Sequence, residues 1–477
     1  MAGGRLHTHL DQHPAPGAPD GHFSARPISH TRPLGPTDNV RRSSMALTGS
    51  GRKIMVISSD GHATARMEDY TPYLDPQFRE EFGEFCAVYR ERGSHTFEEP
   101  ALRQRLDPDL VEEWIEQMIE PGRIEGNWNP ERRLVELERE GVVAEVLFPD
   151  FGLPFELYSP TLAAQLGYGA RTQEQVDAGD RAYNRWLADF CNTAPDRFAG
   201  MASVSFNDPE AAIKEIHRVK ELGLKGITMP TFDEKLPLYA EQYDPVWSTI
   251  EDLGLVLNTH VAISSTSNRW VGTTAQPPHP ACLAPLFRGV VVFYCQQLLD
   301  HLVWGGVFER HPRLNVVFTE QGSAWFAGKL IEMDYSWNGS FLRRDVREIV
   351  KRPPSEYFQR QCHIGSSLLS TAEVGFRRSI GVDKMMVGVD YPHHEGTWNG
   401  GSINYLQAVF GPNDVPEDEA RRMLGETAAE VFGFDTAALA PIVDRVGPTP
   451  EQLLVAPSQD LFPRGDVHKP LAGATIF

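Results

Sequence analysis

Near residue 390 the chain runs Met385-Met386-Val387-Gly388-Val389-Asp390-Tyr391-Pro392-His393-His394-Glu395, an apolar stretch that ends abruptly in ionisable residues. A short, near-continuous apolar run describes a strand covered on both faces, as in a parallel sheet. The aspartate at its end needs a partner if buried, and packing alone does not explain a proline and two histidines directly after it.

The same texture recurs outward from this segment. Eight runs read as strands: Ile54–Ser59, Val143–Pro149, Gly200–Phe206, Gly226–Pro230, Leu255–His260, Asn315–Glu320, Cys362–Gly365 and Met385–Asp390. Helical patterns separate them. Pro209–Leu222 places Ala212, Ile213, Ile216, Val219 and Leu222 on one face, with Asp208 as cap and Gly223 as stop. Thr172–Asn192 places Tyr183, Trp186, Leu187 and Phe190 together. This alternation predicts an α/β protein with a parallel sheet. The first strand lacks a following G-x-G-x-x-G, which speaks against a dinucleotide-binding sheet. The count of eight favours a (β/α)8 TIM-type barrel. Two insertions, 69–140 and 261–313, are expected at its C-terminal rim as a lid or oligomer contact. The first holds an amphipathic helix near Leu110–Ile119, the second a helical run Leu283–Leu302.

The 477 residues suit one such barrel with extensions. Residues 1–50, rich in His, Pro, Gly and Ser, read as a disordered extension, with Met45 as an alternative start; 51–435 form the barrel; 436–477 form a C-terminal extension. Arg41-Arg42 precedes no apolar segment, so a twin-arginine signal is rejected, and no apolar run spans a membrane. A net charge of −20 argues against nucleic acid or an anionic membrane as partner. It leaves an anionic substrate open, because a metal can set the field inside a cleft. The five cysteines (86, 191, 282, 295, 362) show no C-x-x-C spacing, which fits reduced thiols in a cytoplasmic protein.

The chemistry gathers at the strand ends. Asp60 and His62 close the first strand, two apart and on one face if extended. His260 closes the fifth, Glu320 the sixth and Asp390 the eighth. In a barrel those ends converge on one cleft, and two His with two Asp make a nitrogen–oxygen site for Zn²⁺, Fe²⁺ or Mn²⁺. Glu320 is open to two readings, a further metal ligand or a substrate-orienting group. Arg269 and Trp270 on the fifth-strand insertion, His363 on the seventh strand, and His394 and Trp398 after the eighth are candidates for substrate contact.

The chain resembles the amidohydrolase superfamily, in the branch of aminocarboxymuconate semialdehyde decarboxylase and γ-resorcylate decarboxylase. The resemblance covers about residues 54–434. It rests on Asp60-Gly61-His62, on His260 and on Gly388-Val389-Asp390-Tyr391-Pro392-His393. Weaker markers are Glu145–Pro149, Tyr183–Leu187 and Gly306–Pro312. It implies that Asp60, His62, His260 and Asp390 hold one or two divalent ions, that Asp390 moves a proton, and that the protein is a homodimer acting on a small organic molecule. A second ion would draw on Glu320 with His393 or His394. The branch has a histidine after the sixth strand where this chain has Glu320. That departure tips the expectation toward hydrolysis, a metal-activated water attacking an acyl carbon with Asp390, Glu320 and His393 as catalytic groups. Non-oxidative decarboxylation of an aromatic or unsaturated acid is the alternative.

Overall fold

The computed structural model describes residues 51–92, 102–103, 106–150, 153–155, 171–230, 236–261, 282–339 and 343–457. All lie within one unit, Thr48–Phe477. The eight expected strands form: β1 (Ile57–Ser58), β2 (Ala144–Leu147), β3 (Phe198–Ser203), β4 (Gly226–Thr228), β5 (Val256–Thr259), β6 (Asn315–Thr319), β7 (Cys362–Ser367) and β8 (Met385–Gly388). They lie side by side in chain order, each neighbouring pair parallel. The row closes on itself. Ser59 N–H donates to the Val387 carbonyl at 2.9 Å, Asp390 N–H to that of Asp60 at 3.1 Å, and His62 N–H to that of Tyr391 at 2.8 Å. The result is a (β/α)8 barrel.

Side chains alternate across the barrel wall as strand geometry requires. Ile57, Val146, Met201, Val256, Val317 and Met386 share one apolar cluster. Their neighbours Val56, Leu147, Leu257, Val316, Phe318 and Val387 belong to a second, which includes the helices. Counting by twos along β8 carries Met386 through Gly388 to Asp390. On β6 the same count from Val317 reaches Thr319 and skips Glu320. Glu320 has a left-handed backbone, φ 56°, which breaks the alternation.

Local signals account for the helices. Asp208 accepts from the N–H groups of Glu210 and Ala211 at the start of Pro209–Glu221. Thr172 and Gln175 form a capping box on Gln173–Asn192. The first rim insertion contains helices Arg79–Arg92, Pro108–Trp114 and Pro130–Glu140. The second contains Leu283–Trp304. The expected C-terminal extension holds two helices. Helices Thr436–Val446 and Pro450–Leu454 bury Leu439 and Leu453 completely, and Ile54 N–H donates to the Pro448 carbonyl. Apolar Leu439, Ile442, Val443 and Val446 recur at helical spacing and give it a face to bury. Residues 1–50 and 458–477 lie outside the described residues. None of the five cysteines forms a disulfide. Among the described residues no helix is long and apolar enough to cross a membrane.

Candidate metal centre

The ends of β1, β5, β6 and β8 bring Asp60, His62, His260, Glu320, Asp390 and His393 together, all buried. One donor atom from each of Asp60, His62, His260 and Glu320 lies within 4.8 Å of the other three. The same holds for His62, Asp390 and His393, and for Glu320, Asp390 and Glu395. His260 Nε2 is 3.3 Å from Asp60 Oδ1 and 3.5 Å from Glu320 Oε2. His62 Nε2 is 3.2 Å from Asp390 Oδ1.

Neighbouring groups fix these orientations. The Pro149 carbonyl can only accept, so His62 donates to it through Nδ1–H at 3.0 Å, which leaves Nε2 facing the cluster. Ser367 Oγ donates to Asp60 Oδ2. Gly388 leaves the room that Asp60 occupies, since a Cβ there would stand 2.6 Å from Asp60 Cβ. His393 stacks on His62 with ring centroids 4.1 Å apart. It bridges two carboxylates, Nδ1 to Asp390 at 3.0 Å and Nε2 to Asp150 at 3.2 Å. Both Glu320 and Asp390 sit in left-handed backbone, φ 56° and 55°, a conformation that non-glycine residues hold only when their surroundings impose it.

Crowded carboxylates shape the protonation. Burial, then Asp390 and Asp60, push Glu320 well above the usual carboxylate range. Burial also works to raise Asp60, but His260, His62 and Ser367 outweigh it and hold Asp60 low. Burial keeps His260 below the ordinary imidazole value despite Asp60. It opposes protonation of His393 as well, yet Asp390 and Asp150 hold that imidazole well above its usual range.

The donor set fits divalent metal. Buried Glu320 Oε2 and Asp390 Oδ2 make no hydrogen bond, and such atoms are costly unless something else satisfies them. Two imidazoles with several carboxylates are the mixed nitrogen–oxygen donors that Mn²⁺, Fe²⁺ and Zn²⁺ accept.

The other sequence candidates divide. His394 and Trp398 flank the centre. His394 Nδ1 lies 2.6 Å from Glu395 Oε2, and Trp398 packs with Trp114, Met118 and Tyr391. Arg269 and Trp270 lie outside the described residues. His363 does not face the centre. It stands at the start of β7, bonded to Asn315 at the start of β6, with Lys384 and Asp383 as charged neighbours, so its place as a substrate contact is withdrawn. Burial and Lys384 bring its pKa down to about 4, against an ordinary 6.5. The unfolded chain therefore binds the extra proton between those values. Stability from this group is complete above about 6.5 and falls as pH drops toward 4. Chemical unfolding at stepped pH should show that decline reduced in His363→Gln, and an unchanged profile would refute it.

Three residues were missed. Asp150 follows the second strand and carries the available signal, an ionisable group at a strand end. Glu395 stood in the quoted motif without a role. Arg133 gave no signal. It lies behind the centre, fully buried, donating to Glu145 at 2.7 Å and to the carbonyls of His62 at 2.8 Å and Tyr391 at 3.2 Å.

Comparison with known proteins places this geometry in a family. The amidohydrolase family profile matches residues 149–434, and the chain belongs to that family. A γ-resorcylate decarboxylase of Rhizobium sp. (strain MTP-10005) is 26% identical over 54% of this chain and 76% of its own length. The 2-amino-3-carboxymuconate-6-semialdehyde decarboxylase of Dictyostelium discoideum is 25% identical over 65% of this chain and 77% of its own. Among solved structures, an amidohydrolase of Mycobacterium avium subsp. paratuberculosis K-10 shares the fold with a TM-score of 0.56, 19% identity and coverage of 80% of this chain and 99% of that one. A manganese-bound 5-carboxyvanillate decarboxylase of Novosphingobium aromaticivorans shares it with a TM-score of 0.53, 20% identity and coverage of 80% and 96%.

These relatives overturn the expectation of hydrolysis, since the similar enzymes are decarboxylases. The inference from the missing sixth-strand histidine fails for a physical reason. Burial, Asp390 and Asp60 raise Glu320 well above the usual carboxylate range, so a carboxyl that can carry a proton stands where the branch has an imidazole.

Proposed function

We propose that the chain is a divalent-metal-dependent, non-oxidative decarboxylase of an aromatic or unsaturated carboxylic acid. The observation that carries this reading is the buried cluster of His and carboxylate donors at the barrel rim, in a chain whose relatives decarboxylate γ-resorcylate and aminocarboxymuconate semialdehyde. Asp60, His62, His260 and Asp390 would hold the cation, with Glu320 in reach, and manganese is the ion to test first because a fold neighbour binds it. When bound, the cation orients the substrate carboxylate and draws off charge that develops on the organic framework.

The chain's own groups manage the proton. His393 holds one between Asp150 and Asp390. Asp390 takes it at Oδ1 and delivers it to the carbon that bears the carboxylate. The electron pair of the breaking C–C bond enters the new C–H bond, carbon dioxide leaves, and a solvent proton restores His393. The walls around His62, with Phe148 at 6.5 Å and His260 at 5.0 Å between ring centroids, are aromatic and suit a flat substrate.

Manganese-loaded protein is expected to release carbon dioxide from ortho-hydroxylated benzoates or the muconate semialdehyde. In D2O it should place one deuterium at the vacated carbon. Metal-loaded, folded protein that releases none from either class would sink the reading.

A further inference from the structure

Asp150 reaches the centre through His393, and the far side of its carboxylate is held by a residue outside the donor set, Asn127. The contacts run in series. Asn127 Nδ2 donates to Asp150 Oδ2 at 3.0 Å. Asp150 Oδ1 stands 3.2 Å from His393 Nε2, and His393 Nδ1 stands 3.0 Å from Asp390 Oδ1. The Asp150 side chain is only 4% exposed. With one oxygen on Asn127 and the other on His393, it cannot rotate without giving up one of the two. His393 is thereby kept with its second nitrogen on Asp390.

Donor chemistry fixes which way Asn127 points. The backbone N–H of Thr64 can only donate, so the side-chain atom facing it at 3.1 Å is Oδ1. That leaves Nδ2 for Asp150, and an amide nitrogen can only donate. Asp150 Oδ2 therefore accepts. The Thr64 hydroxyl closes the ring, accepting from the Asp150 N–H at 2.9 Å. Asn127 is itself anchored. It ends the short helical turn Arg123–Asn127, where the Tyr391 hydroxyl donates to the Arg123 carbonyl. Arg133 donates to the Gly126 carbonyl at 3.2 Å, and Thr64 N–H to that of Asn127 at 2.9 Å.

We infer that Asn127 is a positioning residue for the decarboxylation: it turns the Asp150 carboxylate onto His393 and so holds His393 against Asp390. The role rests on the proposed function, in which His393 passes a proton to Asp390.

The test exchanges donor and acceptor in full-length protein. Asn127→Asp keeps the shape of the side chain and its bond from Thr64, but it has no amide to donate to Asp150. In manganese-loaded protein it should lower kcat by roughly 10–100-fold, the range seen when a group that orients a site residue is lost, with KM and bound metal unchanged. Asp150→Asn alone should also lose activity, because Asn127 then leaves an amide nitrogen facing His393. In the double variant the pair is rebuilt in reverse: the amide at 150 donates to the carboxylate at 127 and offers its oxygen to His393. It should be no slower than Asp150→Asn alone. Losses that multiply would mean that each side chain acts separately, and would overturn the inference. An unchanged kcat in Asn127→Asp would overturn it too, and would leave the proposed function standing. Crystal structures of the same variants read the placement without turnover, so they decide the matter even if the unaltered protein releases no carbon dioxide, which would sink the proposed function. Asp150 is expected to leave His393 in Asn127→Asp, and a carboxylate still seated on His393 would overturn the inference.

Discussion

Asp390→Asn is expected to lower kcat by roughly 10³-fold with the fold intact, within the range for loss of a positioned proton carrier. Asp390 is fully buried and faces His62 at 3.2 Å and His393 at 3.0 Å. An amide cannot accept and return the proton from His393, and it is a weaker metal donor than a carboxylate. The backbone should tolerate the change, because asparagine is among the few residues at ease at φ 55°. Steady-state kinetics on metal-saturated protein, with thermal unfolding alongside, decides it. Turnover within tenfold of the unaltered protein would take Asp390 out of the proton path.

The convergence of these side chains was legible because two sequence signals coincide in this fold. Strand ends are visible as places where an apolar run stops, and a parallel barrel sends all its C-terminal ends to one cleft. Asp60, His62, His260 and Asp390 are all found by that rule alone. His363 shows its limit. It lies on a strand but at the opposite end from Ser367, and position along the strand decides which face of the barrel a residue serves. Glu320 shows another. Strand alternation would have pointed it away from the interior, and only its left-handed backbone breaks that count. Asp150 carried the same signal as the found residues but stood one past Pro149, where the apolar run had already ended. Arg133 was illegible for a deeper reason. Arg132-Arg133 in a helix with many charged residues reads as a solvated face, and nothing local says that Arg133 turns inward. Its burial is decided by Glu145, which reads as one polar residue in a strand.

That pair carries the largest expected effect on stability. Arg133 and Glu145 are both completely inaccessible and meet at 2.7 Å. The guanidinium also donates to the carbonyls of His62, Gly126 and Tyr391, and it lies 4.3 Å from the centre of the Tyr391 ring. It thus ties the loop after β1 to the loop after β8, the two segments that present most of the metal donors. Gly61 makes the approach possible, since a Cβ there would stand 2.1 Å from Glu145 Oε1 and 2.9 Å from Arg133 Nη2. Arg133→Met keeps the volume but strands a buried carboxylate and three carbonyls, which should cost roughly 3–5 kcal/mol. In a chain of this size, with about 2 cal/mol/K of unfolding entropy per residue, that lowers the unfolding midpoint by roughly 3–5 °C. Burial raises the pKa of Glu145 against the pull of Arg133. Without Arg133 it should take up a proton, so the variant should lose less stability at acid pH than at neutral pH. The double variant Arg133→Met, Glu145→Leu removes the stranded charge and should recover part of the loss, which a double-mutant cycle measures directly. Metal retention should fall in both, because neither restores the tie between the two loops. A single variant within about 1 kcal/mol of the unaltered protein would show that the pair is not needed for stability, contrary to what its burial implies.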